Sequence, residues 1–84
     1  MIQSYVTDLA DKMGVQNPDV TVVEGRRVGC ADSHLLKLTI ENQQVSALIH
    51  QSELEELQIY SFCERLELKV RSALTRLHGL SLLL

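Results

Sequence analysis

The amino-acid sequence predicts a single small α+β domain spanning residues 1–84. An antiparallel sheet of three to four strands is flanked by an N-terminal helix and by a long C-terminal helix packed on one face. Three observations carry this reading. Apolar residues near both ends recur at alternating spacings of four and three, the period of a helix with one buried stripe. Between them, Val- and Thr-rich runs and apolar residues of constant parity mark strands that bury one side of a sheet. A chain of 84 residues is also near the small end of what one hydrophobic core stabilises, so no second domain is expected.

The first helix is read from Ile2, Val6, Leu9 and Met13, with Gln3, Thr7, Asp8, Asp11 and Lys12 elsewhere on its surface. Gly14 closes it, and Asn17-Pro18 prevents continuation because the residue before proline is pushed out of the helical region. Asp19 to Glu24 is short, rich in Val and Thr, and bounded by Pro18 and Gly25, which reads as a strand. A two-residue turn at Gly25-Arg26 would place Val23 opposite Val28, although Gly29 weakens any strand that follows.

His34 to Gln51 carries Leu36, Leu38 and Ile40 on one parity and Val45, Ala47 and Ile49 on the other. A loop at Asn42-Gln43 sets Ile40 against Val45, Leu38 against Ala47 and Leu36 against Ile49, so all six share one face. Leu35 and Leu48 are apolar exceptions on the opposite face. The C-terminal helix is expected over Ser52 to His78. Ser52 and Glu55 form a capping box at its start, Glu53, Glu55 and Glu56 lie in its first turn, and Gly79 stops it. Its seam runs Ile59, Cys63, Leu66, Val70, Ala73, Leu77, Leu80 and Leu84, with a bend expected near Gln58 to Tyr60.

Composition narrows the function classes. Formal net charge is −3, which repels nucleic acid and anionic membrane, and the longest apolar run is too short to cross a bilayer. Cys30 and Cys63, with no signal peptide ahead of them, are expected as reduced thiols rather than a disulfide, in a cytoplasmic protein. Cys30, Asp32 and His34 hold the residue types of a thiol nucleophile with its base and orienter. On an extended strand, however, such neighbours sit about 7 Å apart, against a hydrogen-bond reach of about 3 Å. Cys30 and His34 with His50 or Cys63 could be drawn as zinc ligands, but no closely spaced ligand pair is present. No cofactor fingerprint occurs.

The expected function is therefore a non-catalytic protein-interaction or adaptor domain, self-associating or bound to another protein. Leu77, Leu80, Leu82, Leu83 and Leu84, together with Leu35 and Leu48, form its candidate interaction surface. An alternative is a nucleic-acid-associated regulator using Arg26, Arg27 and Lys37, in which the arginines beside Gly25 would grip phosphate. A thiol-dependent enzyme ranks third.

Overall fold

A computed structural model describes residues 2–25 and 32–82. The element order is α1 (Ile2–Met13), β1 (Asp19–Glu24), β2 (Ser33–Ile40), β3 (Gln43–His50), α2 (Gln51–Tyr60) and α3 (Glu64–Leu82). The strands form one antiparallel sheet in the order β1-β2-β3. Inward-facing Leu36, Leu38, Ile40, Val45 and Ile49 pack with Val6, Leu9 and Ala10 of α1 and with Leu66, Val70, Ala73, Leu74 and Leu77 of α3. This is the predicted small α+β fold, with one apolar layer between sheet and helices. No described helix is long and apolar enough to cross a membrane.

Helix α1 ends as its glycine requires. Gly14 has φ +71°, its N–H donates to the Asp11 carbonyl (3.2 Å), and the Val15 N–H donates to the Ala10 carbonyl (2.9 Å). These two bonds make a Schellman motif, and Val15 and Ala10 both sink into the core beside it.

Val23 pairs with Leu35 and Glu24 with His34, while Arg26, Val28 and Gly29, on which the expected first turn and its following strand rested, lie outside the described residues. The second hairpin differs from expectation. Between β2 and β3 the loop is Glu41-Asn42, so Ile40 faces Gln43, Leu38 faces Val45, Leu36 faces Ala47 and His34 faces Ile49. The expected pairing is thus displaced by two residues. Side chains alternate with period two, so a two-residue shift leaves every apolar residue on its own face, and burial cannot distinguish the two registers. The turn decides, and it places Glu41 at φ 54° in the left-handed region.

The C-terminal helix expected over Ser52 to His78, with a bend near Gln58 to Tyr60, is two separate helices. Ser61 adopts φ 58°, ψ 16°, which ends α2, and the Cys63 carbonyl accepts the Glu67 N–H (2.9 Å) to begin α3. The bend falls just beyond the Gln58 to Tyr60 stretch, and it divides the seam. Cys63, Leu66, Val70, Ala73 and Leu77 are completely buried, whereas Ile59, on the far side of the joint, is exposed. Gly79 does not stop the helix, which runs on to Leu82. The capping interaction also moves by two residues: Glu53, not Glu55, reaches back, and its Oε1 accepts the His50 N–H at 2.8 Å.

Candidate functional site

Two faces of the sheet have opposite fates. The inner face is covered by helices, while the outer face presents Val23, Leu35 and Leu48 side by side in one cross-strand row. Val23 and Leu35 are half-buried, and Leu48, on the last strand, is 54% exposed. The next outer row is Thr21, Lys37 and Ser46. The sequence marked Leu35 and Leu48 as exceptions, and the register sets them directly opposite each other.

At the β3 edge the row meets a hollow of about 340 Å³ between strand and helix, lined by Ala47, Leu48, Leu68, Lys69, Ser72 and Arg76. Leu68 is 62% exposed on the helical side. Residues 64, 68, 72 and 76 stand four apart, so Glu64, Leu68, Ser72 and Arg76 make one ridge along α3. β3 pairs only with β2 among the described residues, which leaves the backbone groups along its other side open to a further strand. An apolar strip, an open strand edge and a helix beside it are the ingredients of β-strand addition.

The ridge is held by a buried ion pair that the sequence did not signal. Lys69 Nζ lies 2.7 Å from Glu53 Oε1, and the Glu53 side chain is only 1% exposed. Burial pushes the Glu53 carboxyl upward. The Lys69 ammonium and the His50 N–H more than offset this, so the group sits below the usual carboxylate range. Its Oε2 has no hydrogen-bond partner. A Glu in an acidic first turn looks solvent-facing until the start of the helix is known, and a two-residue displacement of that start turned Glu53 inward.

His34 is a structural residue. Its Nδ1 accepts the Gly25 N–H at 3.2 Å and its Nε2 meets Gln51 Oε1 at 2.6 Å, which assigns the proton to Nε2. The Asp32 carbonyl accepts the Gln51 N–H at 2.9 Å. Both ring nitrogens are therefore engaged, Nδ1 tying the start of β2 to the end of β1 and Nε2 tying it to α2, and neither is open to act as a base. Cys63 is a free, buried thiol whose Sγ donates to Glu56 Oε2 at 3.4 Å, and the same oxygen pairs with Arg65 at 3.5 Å. These contacts close the α2–α3 joint. Tyr5 packs beside that joint with its hydroxyl buried and unpartnered. Burial raises its phenol, helped by Glu67 and Cys63 and opposed by Arg71. Among the described residues no three His, Cys, Asp or Glu side chains gather as a metal site.

The remaining expected residues divide clearly. Leu77 is completely buried in the monomer core, so it cannot belong to an exposed surface, and Leu80 is 37% exposed. Leu82 ends α3, while Leu83 and Leu84 lie outside the described residues, as do Arg26, Arg27 and Cys30. Lys37 stands at the middle of the outer sheet face. Leu68, which expectation omitted, joins Leu48 instead. The signal was available, since Leu68 is an aliphatic residue off the buried seam. Comparison with protein-family models, with characterised proteins and with solved structures finds no match.

Proposed function

We propose that this chain is a small, non-catalytic, cytosolic protein-docking domain whose β3–α3 flank receives another polypeptide. The observation that carries this is the pairing of Leu48 and Leu68, both more than half exposed, across a hollow that borders an open strand edge. Solvated leucines scattered singly need no explanation, but two that line one groove gain on being covered together. The edge supplies backbone hydrogen bonds and the leucines supply apolar contact, so an extended segment could use both.

The test is site-specific photo-crosslinking in cells. A photoreactive residue at Ser72 is expected to capture a polypeptide in high yield, and the same residue at exposed Asp8 on α1 is expected not to. Equal capture at the two positions, or none at either, would overturn the reading.

A further inference from the structure

We propose, building on the docking reading above, that the occupant of the β3–α3 flank is a second copy of this chain. The two β3 strands would pair antiparallel about a two-fold axis at Ala47 to make one continuous six-stranded sheet. Three features converge on this.

The first is the composition of the edges. β1 begins after Pro18 and carries Asp19 and Glu24 at its ends, and such residues discourage strand addition. β3 reads Gln-Gln-Val-Ser-Ala-Leu-Ile-His, with no proline and no Asp, Glu, Lys or Arg along its length. Of the two edge strands among the described residues, it is the one that carries neither charge nor a preceding proline.

The second is register. A two-fold axis perpendicular to the sheet keeps the helices of both copies on one side, and it requires paired residues to share a parity. Centring on Ala47 satisfies this while bringing all of Gln44–His50 into the ladder. Val45 then faces Ile49 of the second copy on the helix side. On the outer side the two Leu48 side chains take diagonal positions, about 7–8 Å apart by backbone and within reach of each other.

The third is charge. The ridge of α3 starts with Glu64, passes Leu68 and Ser72, and reaches Arg76. Laid antiparallel against itself about a midpoint at Val70, the ridge brings Glu64 to Arg76 of the second copy, and Ser72, facing Leu68 of the second copy, is small enough to let the helices come close. Lys69 lies near the axis and would repel its mate, but Glu53 already neutralises it. The ridge is therefore self-complementary, as an isologous interface must be.

Light scattering and sedimentation on the full chain test the idea. The expected mass is twice 9.5 kDa. Leu48→Lys and Arg76→Glu change exposed side chains, so the monomer fold should survive by circular dichroism, and each should weaken association about tenfold or more. Combining Arg76→Glu with Glu64→Arg should restore much of it. In a mixed-label sample, intermolecular cross-peaks between Val45 and Ile49 report the register. A single-chain mass at all concentrations overturns self-pairing, as does a dimer indifferent to Leu48→Lys and to both charge reversals. If a monomeric chain still captures another polypeptide from Ser72, self-pairing fails and the docking reading survives. If it captures nothing, both fail.

Discussion

The two flanks of the sheet are built on different principles. On the β1 side a charged, proline-preceded edge lies beside α1, a helix of 12 residues that buries Val6, Leu9 and Ala10. On the β3 side an uncharged edge lies beside α3, whose 19 residues supply most of the helical core and the cation that meets Glu53. The lesson is that the flank with the larger share of the helical core is also the one whose edge strand carries no charge or proline. Such an arrangement would suit the proposed docking of a second strand, because the surface would keep its shape on addition.

The contrast would break first at Leu66. Leu66→Ala removes a completely buried side chain that presses α3 onto the sheet, and it should cost about 2–5 kcal/mol in urea unfolding. Val20→Ala truncates a half-buried residue on the β1 side and should cost clearly less. Equal losses would mean that the two flanks share the load.

Next comes the buried ion pair. Lys69→Met strands the Glu53 carboxylate without its countercharge. Such a change costs about 3–5 kcal/mol when both groups are fully buried, and the lower end is expected here because Lys69 is a third exposed. The pH dependence has a definite sign. The folded carboxyl lies below its unfolded value of about 4.3, so its contribution is complete above that pH and fades as the pH falls through the folded value. The gap between wild type and Lys69→Met should therefore narrow in acid below about pH 4.3. A gap that stays constant from neutral to strongly acidic pH would show that lost packing, not charge, is responsible.

The smallest expected effect is at the β2–β3 turn. Glu41 holds a left-handed conformation that costs a side-chain-bearing residue about 1 kcal/mol, so Glu41→Gly should raise stability by up to that amount. A loss instead would show that the Glu41 side chain holds the turn in place, and the register with it.

How far the sequence was legible follows from what each pattern can encode. Parity is written in Leu36, Leu38, Ile40, Val45 and Ile49, and it correctly sorts them to the buried face. It carries no information about a shift of two, so the turn at Glu41-Asn42 was placed one residue late. The seam from Cys63 to Leu77 is explicit because a long buried helix repeats its signal several times. The joint at Ser61 has no such signal, since the residue there is neither glycine nor asparagine and only the apolar residues on either side reveal that the seam has changed direction. Gly79 was read as a stop on local propensity alone, but a glycine in a helix costs only about 1 kcal/mol, which the packed turns before it override. The flank proposed for docking was half visible: Leu48 stood out as an outward-facing apolar residue, whereas Leu68 became meaningful only when α3 was laid along β3.

The way α2 is attached has a further consequence. Leu57 and Glu53 are buried and Leu54 packs partly buried against the core, and to these α2 adds polar ties: Glu53 to Lys69, Gln51 to His34 and to the Asp32 carbonyl, and Glu56 to Cys63 and Arg65. If such a segment swings out, Leu54 and Leu57 are the leucines it withdraws from the core, while the core leucines of β2 and α3 stay packed together. The opening would respond less to urea than global unfolding does, since urea's leverage scales with newly wetted surface, and it would respond to acid, which weakens the Glu53 tie. The domain thus joins a short segment held by two leucines and a set of charge and hydrogen-bond ties to a body held by apolar packing.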